Sequence, residues 1–380
     1  QANIYNLTDQ MYDVFIDNGY TDEDIYYISP NETNSTIAPQ NLVDAPAMIN
    51  NLRYAITEWA VDNANVDQTL TLYIMDHGDQ GLLYLDRPNE QMVTPTMLDG
   101  WLDELEMRHP GLGINVIIEA CYAGSFLQEL SRQDKLNRVV IMSTGAEDLA
   151  WASPSGAYFS DHFIASLGRH ESLYGSFRNA KIAAETVHPD QTPQLDGNGN
   201  DIPNETADYQ IAATQGFPFS DMLSSTDDDL EVMPLEQMKD ILPPYIFGAT
   251  EQVVVQNEVG IVQITATDNE VIERVWMTVY DPSYVAPTSS QVGLIQENGN
   301  EHVHEVDLIH ISANTYRATY TAFNEAGIYR VVVYAQDEQG NEARPHAMHI
   351  EAIASQADTN EPPATGTAFE LRIYLPFVPR

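Results

Sequence analysis

Two side chains of this sequence could together perform nucleophilic catalysis: Cys121, the single cysteine, and His77. A thiolate is a strong nucleophile, and an imidazole within reach can take up the thiol proton and later return it to a leaving group. Backbone N–H groups of Gly78 and Cys121 are candidate donors to the oxyanion that such an attack creates. Taken singly, each side chain has a plainer interpretation, a buried structural thiol and a surface histidine. Their position relative to the secondary structure therefore decides between the two interpretations.

Both residues directly follow apolar segments of strand length. Thr69–Met75 (TLTLYIM) ends just before His77, and Gly113–Glu119 (GINVIIE) ends just before Cys121. In open α/β sheets, catalytic groups collect at the carboxyl ends of the strands. Because the two residues occupy equivalent places on two strands, the sequence predicts that they are neighbours and that the pair is catalytic.

The segments around these strands predict an α/β domain. Asp9–Asn18 and Ala47–Val61 have apolar residues at helical spacing, and a third helix is predicted to begin near Thr94, a candidate N-cap. Asp24–Ile28 and Arg138–Ser143 are predicted strands. Apolar strands that alternate with helices indicate a three-layer sandwich around a mostly parallel sheet.

The pattern changes near Pro243-Pro244. From about Tyr245 to Ala354, short alternating strands separated by turn residues replace the helices: QVVVQ, IVQITAT, RVWMTVY, YRATYTA and YRVVVYA. This is typical of an all-β, immunoglobulin-like sandwich. We therefore divide the chain into an α/β domain (1–243), a β-sandwich domain (244–354) and a linker with a strand-like tail (355–380).

The charge balance excludes some partners. The formal net charge is −41 at pH 7, which argues against binding to nucleic acid or to anionic membrane surfaces. A single cysteine leaves no intrachain disulfide. No apolar run reaches the roughly 20 residues that a transmembrane helix needs. The composition favours a very soluble protein, cations as ligands, or a salty or acidic exterior.

The two motifs resemble a known family. Asp76-His77-Gly78 after a strand, followed by Glu119-Ala-Cys121-Tyr-Ala-Gly124-Ser125-Phe126, is similar to the signatures of the legumain-type (C13) cysteine peptidases of the caspase-like clan. The resemblance extends over roughly Asn6–Pro218. It implies a caspase-like fold, Cys121 as nucleophile, His77 as general base and acid, and the Gly78 N–H as an oxyanion donor.

The resemblance also implies a substrate pocket. Glu119 matches a position that lines the S1 pocket, and the segment Asp148–Trp151 looks like another wall of it. The implied substrate-binding residues are Glu119, Ser143, Asp148, Ala150 and Trp151. The alternatives are a carboxylate that caps the turn after Glu119 and a solvated loop acid at Asp148. The family's first strand and its S1 arginine precede the point where this sequence begins, so P1 specificity stays open.

A second chemical feature is the segment around Asp196-Gly-Asn-Gly-Asn. Its candidate ligands alternate as in a calcium loop: Asp196, Asn198, Asn200 and Asp208. The alternative is a Gly/Asn-rich turn without metal, because Asp201 and Ala207 stand where an EF-hand has its glycine and its bidentate glutamate. Calcium would be structural, and the catalytic chemistry needs no cofactor.

Together these features predict an extracellular or cell-surface cysteine endopeptidase with an immunoglobulin-like accessory domain. Two alternatives remain: a catalytically silent structural or adhesive protein that assembles through its β domain and tail, and a peptide ligase or transpeptidase that forms the same acyl-enzyme. The tail segment Phe369–Val378 is predicted to be a sorting or attachment signal, or else a strand that covers an unpaired sheet edge of this chain or a neighbouring one.

Overall fold

In the computed structural model, the described residues are 2–30, 42–66, 68–131, 137–153, 156–216, 242–249, 252–286 and 301–354. The helices are α1 (Ala2–Asp17), α2 (Ile49–Tyr54), α3 (Ala60–Asn63), α4 (Pro95–Arg108), α5 (Leu127–Leu130), α6 (Tyr158–Gly168), α7 (Leu173–Val187) and α8 (Thr206–Ala212). The strands of the first half are β1 (Thr69–Met75), β2 (Gly78–Asp79), β3 (Leu82–Asp86), β4 (Gln91–Val93), β5 (Gly113–Glu119), β6 (Arg138–Met142) and β7 (Gln194–Asp196).

The central sheet has the strand order β1-β5-β6-β7. β1, β5 and β6 run parallel, and β7 pairs with β6 in the antiparallel direction. The register sets Met75 opposite Glu119 and Ile118 opposite Met142. The carboxyl ends of the three parallel strands therefore meet at one edge of the sheet, as predicted.

Helices cover both faces of this sheet, which makes the expected three-layer sandwich. On one face, Ile117 and Ile141 pack with α1, α6 and α7. On the other face, Val116, Ile118 and Val140 pack with α2 and α4. Because these strand residues are no more than 3% exposed on either side, the strands need continuous apolar sequences rather than alternating ones.

Three local predictions had different outcomes. Thr94 caps α4, since its side-chain oxygen accepts a hydrogen bond from Met97 N–H at 3.3 Å. The helix predicted over Ala47–Val61 is interrupted, because a π-helical turn (Ala55–Trp59) joins α2 to α3. The strand predicted at Asp24–Ile28 is wrong: Asp22–Asp24 form a 3₁₀ turn, and Ile28 makes only an isolated bridge with Ala45.

β1 lies at the edge of the central sheet. Beside it runs a cleft of about 440 Å³, whose lining includes apolar side chains of α1, of the segment 26–30 and of α2 and α3. Its lining also includes Asp76, the residue before His77. The tail segment predicted to cover such an edge, Phe369–Val378, lies outside the described residues.

The second half of the chain is entirely β in its described part. Its strands are β8 (Tyr245–Phe247), β9 (Gln252–Val255), β10 (Gly260–Thr267), β11 (Ile272–Tyr280), β12 (Val303–Asp307), β13 (Ile309–Ser312), β14 (Thr315–Tyr320), β15 (Gly327–Asp337) and β16 (His346–Ile353). They form two sheets, in the orders β13-β14-β10-β8 and β12-β11-β15-β16-β9. Val262 from one sheet and Met277 from the other share a fully buried core. The immunoglobulin-like topology itself stays a prediction.

Candidate active site

The sheet register brings the two predicted catalytic residues together. Met75 lies opposite Glu119, and His77 and Cys121 each follow these paired residues by two positions. Gly78 packs directly on the backbone of Cys121: a Cβ atom at Gly78 would lie 2.2 Å from the Cys121 carbonyl oxygen. No residue with a side chain fits at that distance, so the close approach of the two strand ends explains the glycine after His77.

The thiol of Cys121 lies against the backbone of Ala150. The Ala150 N–H donates to Sγ at 3.4 Å, and the carbonyl oxygen of Ala150 lies 3.7 Å from the same sulfur. The next residue, Tyr122, has a φ of 58°, in the left-handed region that non-glycine residues rarely adopt. Such backbone strain is typical of functional turns.

The helix that follows Cys121 is short. A 3₁₀ turn (Ala123–Phe126) leads into α5, which has only four residues. A helix dipole at the thiol is therefore weak, because a single turn aligns few peptide units.

His77 is half-buried and neutral at physiological pH. Burial lowers its pKa to about 4, and the nearby Arg87 acts in the same direction. Its Nδ1 atom is buried and has no hydrogen-bond partner among the described residues. The neighbouring Asp76 accepts the His77 backbone N–H at 2.7 Å, and burial raises the pKa of Asp76 to about 7. A neutral imidazole is the form that can accept a proton from a thiol.

Glu119 is completely buried beneath the site. Its carboxylate accepts hydrogen bonds from the N–H and the hydroxyl of Ser160, at 3.1 and 2.9 Å, in the first turn of α6. Burial raises the pKa of Glu119 to about 7. Glu119 thus caps the start of α6, and not the turn after Glu119 that its plainer interpretation gave. Its role in reading P1 stays a prediction.

Replacing Glu119 by Gln should flatten the pH dependence of stability. Burial raises the Glu119 pKa from 4.5 to about 7, so between these pH values the folded state keeps a proton that the unfolded state has lost. Stability contributed by this site therefore falls as pH rises through that window, by about 3 kcal/mol. The glutamine does not titrate, so the variant should gain stability relative to wild type above pH 7, measured by urea unfolding from pH 5 to 8.

Glu147→Gln, at an exposed position, is the control. It should change the free energy of unfolding by the same amount at every pH. Burial also lowers the pKa values of the half-buried His77 and the buried His162 to about 4. These two groups change stability with pH in the opposite direction, but they do so in both proteins. A Glu119→Gln variant whose stability changed with pH in parallel with wild type would contradict the assignment.

The wall predicted from Asp148 to Trp151 lies beside Cys121. The Asp148 carboxylate accepts from Gly145 N–H at 3.2 Å and from the Thr192 hydroxyl. The Asp148 carbonyl accepts from Tyr122 N–H at 2.8 Å. Backbone hydrogen bonding thus ties the wall to the turn that carries the nucleophile.

Ser143, the other predicted substrate-binding residue, supports the same turn from below. Its hydroxyl accepts from Ala120 N–H at 3.3 Å, and its own N–H donates to the Ile118 carbonyl at 3.0 Å. Because Ser143 is fully buried, these contacts hold the end of β5 in place, and its contact with substrate stays a prediction.

Two further residues hold this wall, and no motif in the sequence indicated either role. Gln191 is fully buried and bridges both sides of the site: its amide donates to the Ser143 carbonyl at 2.9 Å and accepts from Trp151 N–H at 3.3 Å. His188 stacks on the Trp151 ring, with centroids 4.0 Å apart and planes at 6°.

The predicted calcium loop is closed by its own backbone. Asp196 accepts from three N–H groups, those of residues 198, 199 and 201, at 2.7–3.1 Å. Asp208 accepts from the N–H groups of residues 197, 198 and 205, at 2.8–3.2 Å. Among the described residues no group of three His, Cys, Asp or Glu side chains is placed to hold a metal ion. These contacts favour the metal-free turn, and calcium at Asp196, Asn198, Asn200 and Asp208 stays a prediction.

Replacing Asp208 by Ala should therefore destabilise the domain even without calcium. The three N–H groups that it accepts would lose their acceptor, at a cost of about 2 kcal/mol in the free energy of unfolding. Asp208→Asn keeps one oxygen acceptor and should lose less. Thermal unfolding of all three proteins in chelator and in calcium is the measurement. A wild type that calcium stabilises and an Asp208→Ala variant that it does not would instead establish a metal loop.

The fold and the strand-end site define a caspase-like α/β domain followed by a β domain. Residues 8–173 match the sequence model of the peptidase C13 family. This match supports a legumain-type cysteine peptidase in that part of the chain. The match contains both His77 and Cys121.

The other comparisons add little. No curated protein matches the chain. Among solved structures, the fibronectin(III)-like modules of Clostridium thermocellum CbhA are 16% identical over 32% of this chain and 53% of that chain, with a TM-score of 0.21. The SrpA adhesin from Streptococcus sanguinis is 13% identical over 31% of this chain and 61% of that chain, with a TM-score of 0.20. The chain thus spans about half the length of the CbhA structure, and similarities this low carry no argument about function.

Proposed function

We propose that this chain is a cysteine endopeptidase in which Cys121 is the nucleophile and His77 the general base and acid. The observation that carries the proposal is the packing of Gly78 on the Cys121 carbonyl, which holds the two strand ends in contact. A Cβ atom added at Gly78 would lie only 2.2 Å from that carbonyl oxygen. The match of residues 8–173 to the sequence model of the peptidase C13 family supports the reaction class.

The reaction has two halves. His77, neutral because burial lowers its pKa to about 4, takes the thiol proton while Sγ attacks the scissile carbonyl carbon. The resulting oxyanion is held by backbone N–H groups, with those of Gly78 and Cys121 as candidates. The protonated His77 gives its proton to the leaving amine, which leaves a thioester. Water, deprotonated by His77, then cleaves the thioester and releases the acid.

The substrate side is formed by the wall beside the thiol. Ala150 contacts Sγ through its backbone, and Trp151 follows it. Asp148 and Ser143 hold the wall and the nucleophile turn in place. We propose that a P1 side chain enters between these residues, and Glu119, completely buried below them, contributes to the floor of that pocket.

An active-site probe tests the proposal. Acyloxymethyl ketones with different P1 side chains should label wild type at Cys121 and should leave Cys121→Ala unlabelled. Incubation of a cleaved peptide with an added amine, followed by mass spectrometry, separates hydrolysis from ligation. Absence of labelling with every P1 side chain, with and without calcium, would leave the silent structural protein as the better interpretation.

We further propose that the protein acts outside the cell or at its surface. The formal net charge of −41 and the β-sandwich partner domain suit an extracellular setting. In the described residues no helix has the length and apolarity that crossing a membrane requires. Detection of the protein in the medium or on intact cells by antibody, against its detection only after lysis, is the test.

A further inference from the structure

The β domain packs on the peptidase domain through an apolar interface that reaches the active site. Trp276, Tyr280 and Tyr334 of the β domain share one buried cluster with Trp151 and Cys121. Each of these five side chains is at most 4% exposed. The interface is therefore continuous with the surroundings of the nucleophile, which is unusual for an accessory domain that only tethers its neighbour.

The contact begins at Arg330 on β15. Its guanidinium donates to the carbonyl of Val187, the last residue of α7, where a positive charge is favoured by the helix dipole. The same guanidinium lies over the Tyr280 ring, 3.9 Å from its centroid. Arg330 thus fastens Tyr280 to the end of α7.

The contact continues into the wall of the site. The Tyr280 ring meets the His188 ring edge to face, with centroids 6.4 Å apart and planes at 86°. His188 stacks in turn on Trp151 at 4.0 Å. Trp151 directly follows Ala150, whose N–H donates to Sγ of Cys121 at 3.4 Å. A continuous path of packed rings and one backbone hydrogen bond therefore connects the β domain with the thiol.

We propose that His188 is a positioning residue through which the docked β domain sets the Ala150–Trp151 wall, and hence the P1 selectivity, of the Cys121 site. This inference rests on the proposed function for its effect on selectivity. Its structural content, that β-domain docking controls the surroundings of Cys121, stands independently of whether peptides are cleaved.

The chain offers a matched control for this path. Arg344 also joins the β domain to α7, because its guanidinium donates to the side-chain oxygen of Asn179 at 2.8 Å. Asn179 lies in the middle of α7, about two turns before His188, and Arg344 is exposed. Removing either arginine deletes one of these hydrogen bonds between the domains, but of the two only Arg330 contacts the path through Tyr280.

The test compares Arg330→Met with Arg344→Met in the full chain. The readout is the ratio of kcat/KM for two substrates that differ only in P1, because a smaller folded fraction lowers both values equally and leaves the ratio unchanged. We expect the ratio to change by about threefold or more in Arg330→Met, since small displacements of positioning groups have large kinetic effects, and to stay at the wild-type value in Arg344→Met. Arg330→Lys keeps the charge over Tyr280 but not the planar fork, so it should lie between, and it replaces Arg330→Met if that variant does not fold.

A second readout does not depend on peptide cleavage. Cys121 is the only cysteine, so its alkylation by iodoacetamide can be followed on the intact protein by mass spectrometry. Displacement of the wall should change the alkylation rate in Arg330→Met and not in Arg344→Met. An unchanged P1 ratio together with an unchanged alkylation rate in Arg330→Met would overturn the proposal, as would equal changes in both variants. If wild type cleaves no peptide, the proposed function fails while the alkylation rates still decide this inference.

Discussion

Peptide cleavage by a His77→Gln variant should be slower than by wild type, by about 10²- to 10⁴-fold in kcat/KM. Glutamine keeps polar atoms at this half-buried position, but it has no site that accepts the thiol proton or protonates the leaving amine. The register that sets Met75 opposite Glu119 should be preserved, so the loss reflects chemistry and not folding. Steady-state kinetics together with thermal unfolding separate the two.

Wild type should also keep its activity at unusually low pH. Burial lowers the His77 pKa to about 4, so the imidazole stays unprotonated down to that pH. The acid limb of kcat/KM should therefore lie well below 6.5, the usual pKa of histidine. The control for His77→Gln is His349→Gln, at an exposed position on β16, which should retain full activity. A His77→Gln variant with wild-type kcat/KM would remove His77 from the mechanism.

The strand that carries Cys121 could be predicted because burial on both faces demands continuous apolar sequence. Thr69–Met75 and Gly113–Glu119 are observed with the predicted bounds. The prediction of a strand at Asp24–Ile28 was wrong for a physical reason. A strand needs a partner backbone along its length, and among the described residues this segment has only the bridge between Ile28 and Ala45. Local sequence carries no information about that partner.

The supporting residues of the site could not be predicted in the same way. Gln191 is 40 residues from Trp151 and 48 from Ser143 along the chain, so no spacing rule links them. The contacts of His188 depend on how the β domain docks. Tyr280 and Tyr334 lie at strand positions that alternate with core positions, as residues on a free sandwich surface also do. Only the observed interface shows that they face the peptidase domain. Long-range packing of this kind has no periodic signature.

Replacing Arg138 by Met should lower the free energy of unfolding by about 3–5 kcal/mol. The Arg138 side chain is fully buried and binds three carboxylates of α4: Asp99 at 2.7 Å, Asp103 at 2.7 Å and Glu106 at 2.8 Å. Methionine fills a similar volume and makes no ion pair. Asp99, whose side chain is only 9% exposed, would then be left buried without this cation, and α4 would lose its attachment to the start of β6.

Arg108→Met is the matched control, because Arg108 also pairs with acids, Glu58 at 3.9 Å and Glu104 at 3.8 Å, but its side chain is 46% exposed. Exposed pairs contribute about 0–1 kcal/mol, so urea unfolding should show a small change there. Adding Asp99→Asn to Arg138→Met should recover part of the loss, since the amide removes a buried negative charge. Equal losses in the two arginine variants would mean that burial does not govern the cluster, and no recovery in the double variant would mean that the charge of Asp99 is not the source of the loss.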